Sequence, residues 1–290
     1  MHRILVRVPL PWGGDFPVAT YGVMMAVGTL AGVLVAWRLG RREGVRGETV
    51  VDMAFWCVVG GVLGAKVWFL VEYWNAFEDK WELLRNFRSG LVFYGGIIGG
   101  IAGLVGYVLY RRLSLLRMLD LVAPGVILGL AFGRIGCFLN GCCYGRPTES
   151  ALGVSFPKGS PAFADPGISH TLAGGQSITV PILPTQLFES AAAFVIFGLL
   201  LLLRGRRKFY GEQAGLLLVF YPAWRFFNEF LRGDHEPLLA GLTSAQVFSA
   251  ATFVLAVAGL VILRRLRPRS LEVSGPDRVD RSEGTGDPRG

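Results

Sequence analysis

The chain has 290 residues, of which 52% are hydrophobic and only 17% charged, and its mean hydropathy is +0.48. That balance excludes a disordered chain and an ordinary soluble domain. The formal net charge of +8 does not point to a nucleic-acid partner. The basic residues stand in short clusters between long apolar runs, which is the pattern of membrane topology.

Crossing about 30 Å of hydrocarbon takes about 20 apolar residues in a helix. Seven stretches meet that length, at 18–39, 51–71, 91–110, 118–139, 185–203, 214–231 and 241–263. The alternation over about ten residues that marks a membrane barrel is absent. The expected fold is therefore an all-α polytopic membrane protein of about seven transmembrane helices. Residues 1–16 contain two prolines and two arginines but no apolar core of a cleaved signal, so they read as a short external segment before an uncleaved anchor.

The turns after the first, third, fifth and seventh runs carry fifteen Lys and Arg residues, against eight on the other side. The positive-inside rule then puts the N-terminus outside and the C-terminus in the cytoplasm. Residues 17–266 form the transmembrane domain. The loop 141–184 is external, rich in Gly and Pro and poor in charge, so it lies on the membrane surface or caps a site. Residues 267–290 hold ten charged residues among 24 without apolar periodicity, as in a disordered tail. No internal repeat is visible, which weighs against the inverted-repeat transporters.

A charged side chain at mid-membrane costs about 2.5–3.5 kcal/mol on insertion scales, so each one asks for a reason. The candidates are Lys66, Arg134, Glu189, Arg225 and Glu229. Lys66 stands near the end of its run, where it can snorkel to the interface. Tyr221, Arg225 and Glu229 are spaced by four and share one helical face. An Arg225–Glu229 pair alone is a structural lock, but that does not account for Arg134 on another helix. Two arginines on separate helices suit a phosphate at headgroup depth, because the guanidinium fork matches its oxygens and stays charged.

No carboxylate dyad, Walker loop or metal-ligand spacing competes, so neither a metal nor a cofactor is expected. Glycines at 95, 96, 99 and 100, and at 125, 129 and 133, match close helix packing better than a nucleotide fingerprint. Cys137, Cys142 and Cys143 crowd into seven positions with no histidine completing a local set. They are open to packing, to a disulfide if exported, or to a redox role.

Six segments together resemble the prolipoprotein diacylglyceryl transferase family. The run Gly133-Arg134-Ile135-Gly136-Cys137-Phe138-Leu139-Asn140-Gly141, continuing to Gly145, is similar to the family signature. Phe93 to Gly99 resembles its HGGL segment and Leu183 to Glu189 its HPSQLYE segment. Tyr221 to Arg232 is similar to its YGxxRFxxEFxR segment. Tyr21-Gly22 matches the first-helix tyrosine, and Leu242 to Gln246 the LSMGQ segment of the seventh helix.

The resemblance implies transfer of a diacylglyceryl group from phosphatidylglycerol to the lipobox cysteine thiol of exported prolipoproteins. A thioether forms and glycerol phosphate leaves, as the first step of bacterial lipoprotein maturation. It implies a site towards the outer face of the bacterial cytoplasmic membrane. By the same resemblance Arg134 binds the headgroup, Arg225 assists, and Tyr221 and Glu229 orient Arg225. Tyr21, Gly95, Gly96, Asn140, Gly145, Gln186 and Glu189 contribute to the substrate site, and Tyr94 positions the lipid or thiol by a hydrogen bond.

Four positions depart from the family pattern. Tyr94 replaces its histidine, Cys137 its usual asparagine, Cys142 a frequent glutamate and Lys66 an arginine. A phenol of ordinary pKa about 10 is a poor base at neutral pH, which leaves Glu229, His235 or a water held by Tyr94 for that task. The alternatives are a non-catalytic lipid- or lipoprotein-binding relative, a membrane transporter, or a thiol-redox enzyme resting on the cysteines. A retinal protein is excluded because no lysine falls within 241–263.

Overall fold

A computed structural model of the chain describes residues 4–9, 15–74, 92–171, 177–234, 238 and 241–266. Among these residues seven α-helices follow in order: α1 (Thr20–Arg42), α2 (Gly47–Tyr73), α3 (Phe93–Tyr110), α4 (Leu115–Asn140), α5 (Thr185–Arg204), α6 (Glu212–Glu229) and α7 (Ser244–Leu266). Five of them, α1, α2, α4, α5 and α7, are long and apolar enough to cross a membrane. Helix α3 is apolar but shorter, and α6 carries Glu212, Arg225 and Glu229 within its 18 residues. The architecture is that of a multi-pass membrane protein, with each backbone satisfied inside its own helix.

Two short antiparallel hairpins modify the all-α expectation. Strand β1 (Ile4–Pro9) pairs with β2 (Asp15–Ala19), which runs directly into α1. Strand β3 (Ser169–Thr171) pairs with β4 (Ser177–Thr179) within the long loop. The expected tail 267–290 and His235 lie outside the described residues.

Apolar side chains such as Leu30, Val71, Leu202, Phe248 and Leu255 point outward. In lipid such faces are matched to their surroundings, so helix association rests on close packing instead. Glycines supply it along two seams. Between α1 and α4, a Cβ added to Gly32 would sit 2.6 Å from the Gly125 carbonyl oxygen. Between α2 and α3, a Cβ on Gly99 would overlap the Gly60 carbonyl, and one on Gly95 would overlap both Gly64 and Trp68. Gly95, expected at the substrate site, is therefore buried in a packing seam.

One end of the bundle is closed by ion pairs. Pro124 interrupts α4 and has no N–H for the Asp120 carbonyl four residues earlier. Arg204 takes that carbonyl at 2.9 Å. The Asp120 carboxylate accepts the backbone N–H groups of Gly211 at 2.8 Å and Ala214 at 3.0 Å. It thus caps α6, whose own N-cap residue is a glycine with no side chain to offer. Glu43 pairs with Arg204 at 2.6 Å and Arg207 at 3.3 Å, and Arg117 donates to the Glu43 carbonyl at 2.6 Å.

At the opposite end α4 stops at Gly141, whose φ of 78° is the left-handed conformation that suits glycine. Its N–H bonds the Cys137 carbonyl at 2.9 Å. The loop beyond folds into a lobe with its own core of Phe156, Ala162, Ile168 and Ile182, on which Phe138 of α4 and Tyr144 pack. Tyr144 donates to Asp165 at 3.1 Å. Burial and that carboxylate push its phenol up to about 12.

Candidate active site

The C-terminal ends of α4 and α6 meet the N-terminal ends of α5 and α7 at a cluster of six ionised side chains. Arg134 of α4 lies 3.1 Å from Glu189 of α5, with 16% of the arginine side chain and 1% of the glutamate exposed. The same Glu189 oxygen accepts the Tyr221 hydroxyl at 2.7 Å and lies 4.0 Å from Arg225 Nε. Its other oxygen accepts Asn228 Nδ2 at 3.4 Å. One buried carboxylate is thereby shared among two arginines, a phenol and an amide.

Arg225 is paired with Glu229 one turn later on α6. Glu229 also accepts the Thr243 hydroxyl at 2.9 Å and stands 3.7 Å from Arg232. Arg232 places its fork on both oxygens of Asp234, at 2.9 and 2.6 Å. Burial lowers the pKa of its guanidinium, but Asp234 outweighs that and leaves it raised. Three guanidinium groups thus face three carboxylates, the balance that buried ions require. Arg134 differs from the other two in being the most exposed of the three, at 16% of its side chain against 11% and 5%.

The wall beside Arg134 comes from the first turn of the lobe. Thr185 Oγ1 donates to the Cys143 carbonyl at 3.1 Å and Gln186 Nε2 to the Cys142 carbonyl at 2.7 Å. The Gly145 N–H bonds the Leu183 carbonyl at 3.0 Å, and the Arg146 N–H the Leu231 carbonyl at 2.9 Å. A Cβ on Gly145 would sit 2.5 Å from the Leu183 oxygen, so glycine lets the loop approach α5. Gln186 is fully buried, and its Oε1, like Asn228 Oδ1, is a buried acceptor with no hydrogen-bond partner among the described residues.

The expected site residues separate into two groups. Arg134, Glu189, Tyr221, Arg225 and Glu229 form one network. Tyr21 packs against α4 two residues beyond Arg134, since a Cβ on Gly136 would lie 3.2 Å from its ring. Asn140 ends α4, and Gln186 and Gly145 fasten the loop. Two details differ from expectation. Tyr221 bonds Glu189 and so orients the partner of Arg134, whereas Glu229 and not Tyr221 holds Arg225.

Tyr94 is the second difference in placement. It stands 65% exposed in the first turn of α3, on the α2–α3 pair that contributes nothing to the ion network described above. Gly96 shares that turn and has room, its added Cβ meeting only ordinary contacts with Ala65 and the Gly61 carbonyl. Lys66 is 5% exposed with its Nζ 5.1 Å from the Phe69 ring, so it is buried and does not snorkel.

Sequence reasoning passed over Asn228, Arg232 and Asp234. The signal was present for Arg232, three positions beyond Glu229 at the exit of the same helix, but not for Asn228, whose place next to Glu229 in sequence turns it to another face. It also passed over Asp120, whose signal was a lone carboxylate within an apolar run. The three cysteines are free, and their sulfur atoms lie within 4.8 Å of one another.

The family model described as prolipoprotein diacylglyceryl transferase matches residues 8–262. The chain is 34% identical over 234 residues to phosphatidylglycerol–prolipoprotein diacylglyceryl transferase 2 of Clostridium perfringens, covering 80% of this chain and 86% of that one. It is 34% identical over 237 residues to the phosphatidylglycerol–prolipoprotein diacylglyceryl transferase of Clostridium tetani, with 82% and 90% covered. The protein of that name from Gloeobacter violaceus is 34% identical over 264 residues, with 88% and 92% covered. A match that spans six of the seven helices in full and nearly all of α7, and that takes in the whole ion network, leaves one assignment: the chain belongs to the prolipoprotein diacylglyceryl transferase family.

Proposed function

We propose that this chain transfers the diacylglyceryl group of phosphatidylglycerol to the lipobox cysteine thiol of exported prolipoproteins. The observation that carries the reading is Arg134, a largely buried cation whose only partly used fork sits beside a shared carboxylate. The headgroup phosphate takes up that fork. As the glyceryl carbon–oxygen bond breaks, charge grows on the departing phosphate ester, and a fixed guanidinium in a water-poor site stabilises it. Glu189 and Tyr221 hold Arg134 in position, Glu229 and Thr243 hold Arg225 behind it, and Gln186 Oε1 and Asn228 Oδ1 are acceptors for the glycerol hydroxyls.

In this reading the seven helices of 17–266 span the bacterial cytoplasmic membrane with the N-terminus outside. The site and the lobe 141–184 face the outer leaflet, where both substrates arrive. Tyr21, Gly96, Asn140 and Gly145 border the lipid path, and Tyr94 contacts lipid at its rim.

The test is a transfer assay. Full-length protein is mixed with phosphatidylglycerol vesicles and a lipobox peptide, and the peptide is weighed by mass spectrometry. The expected result is a diacylglyceryl mass gain on the peptide cysteine that Arg134→Ala abolishes. Folded protein that binds the lipid but never modifies the peptide would sink the transferase reading and leave a binding relative.

A further inference from the structure

Cys137, Cys142 and Cys143 have no part in the ion network, yet the fold brings them together. Cys137 is one helical turn beyond Arg134 on α4, and the turn at Gly141 folds Cys142 and Cys143 back over it. All three sulfurs lie within 4.8 Å of one another. The Cys143 and Cys142 carbonyls are tied down by Thr185 and Gln186, and the Cys142 thiol itself rests 3.7 Å from the Cys137 carbonyl. Cys143 adopts a left-handed φ of 61°, which a residue with a Cβ rarely accepts. Arg134 and Arg232 are close enough for their charges to act on Cys143.

We propose that Cys137, Cys142 and Cys143 form a three-thiolate site for Zn(II) whose fourth position takes the thiol of the acceptor peptide. A tetrahedral zinc at about 2.3 Å from each sulfur needs sulfurs about 3.8 Å apart, which small side-chain rotations from the observed spacing reach. Among the described residues no histidine or carboxylate completes the set. Three protein ligands and an open position are the arrangement of zinc sites that bind a reacting group rather than brace a fold. Three thiolates and Zn(II) carry one net negative charge, and Arg134, one turn before Cys137 on α4, is the nearest cation along the helix.

The peptide thiol binds zinc and releases its proton to water. Its sulfur then forms the bond to the glyceryl carbon while the carbon–oxygen bond to phosphate breaks. The electron pair leaves on the oxygen of glycerol phosphate, and the thioether, a weaker ligand than thiolate, departs from the metal. This supplies an activated nucleophile where the family's histidine is replaced by Tyr94. The role of the fourth position rests on the transferase reading, whereas the metal site does not.

The experiment uses reduced, chelator-stripped, full-length protein titrated with Zn(II) alone and with Co(II) alone. The expected result is one metal per chain by elemental analysis, with sulfur-to-cobalt charge-transfer bands. Cys137→Ser, Cys142→Ser and Cys143→Ser should each weaken binding roughly tenfold or more, and Cys57→Ser, a remote half-buried cysteine, should not. A lipobox peptide should add to the charge-transfer intensity, and its cysteine-to-serine analogue should not. No stoichiometric metal, metal bound equally by all variants, or two of the three sulfurs recovered as a disulfide would overturn the site. Metal bound without any response to the peptide, in protein that still transfers lipid, would overturn the thiol role alone. Metal and peptide response without transfer would leave the site standing and sink the transferase.

Discussion

Two buried ion clusters lie at opposite ends of the same bundle, and they are built differently. At the base, Asp120 takes two backbone N–H groups and lies within 3.5 Å of Arg207, while Glu43 takes Arg204 and Arg207. The carboxylates there cap a helix and neutralise the turn between α5 and α6. At the other end the bonds to Glu189 and Glu229 come almost wholly from side chains, and Arg134 keeps an exposed edge. A charge satisfied by backbone is committed to the fold. A charge balanced by a shared side chain can exchange that partner for a ligand of the same sign, which is why the second cluster is the candidate site and the first is a latch.

The sharpest test of this contrast is Asp120→Ala. It leaves the N–H groups of Gly211 and Ala214 without their buried acceptor and Arg207 with Glu43 alone, at a cost of about 3–5 kcal/mol. Thermal unfolding in detergent should fall markedly, while the transfer rate per folded molecule stays unchanged. Loss of specific rate at intact stability would break the division between latch and site.

Arg134→Ala should behave in the opposite way. Removing one positioned donor to a developing anion costs about 10²–10³ in turnover, with a smaller fall in unfolding temperature than Asp120→Ala gives, because Tyr221, Asn228 and Arg225 remain on Glu189. Arg134→Lys should recover little of it, because an ammonium cannot offer the fork.

Tyr221→Phe removes one neutral donor from Glu189 and leaves the arginine in place. Steady-state transfer should fall by about tenfold, the worth of a hydrogen bond to a charged group. A value near that of Arg134→Ala would mean that Tyr221 touches the substrate itself. Tyr94→Phe should have the smallest effect, about twofold or less, given the exposure of that ring. A large loss would bring the α2–α3 pair into the chemistry.

The candidate site was unevenly legible. Arg134 and Arg225 stood out because a charge in an apolar run is costly wherever it is, so local sequence is enough to flag it. The four-residue spacing of Tyr221, Arg225 and Glu229 placed them on one face, and the resemblance gave Tyr221 to Arg225, whereas its hydroxyl bonds the Glu189 carboxylate that both arginines face. Spacing reports a shared face and not which neighbour on another helix a hydroxyl will find. Gly95 illustrates the same limit, since a glycine quoted from a motif serves a seam between helices.

By itself the sequence determined the apolar helical character of the chain, the membrane class and the two arginines that had to be explained. Those properties follow from apolar length and from the cost of burying charge, both of which are read within one segment. Only the tertiary structure decided that Glu189 is shared between two arginines, that Asp120 caps a helix other than its own, and that three sulfurs meet beside Arg134. Each of those outcomes depends on which helix ends come together. That is set by glycine seams and turn geometry acting between distant segments, where no local pattern records the partner.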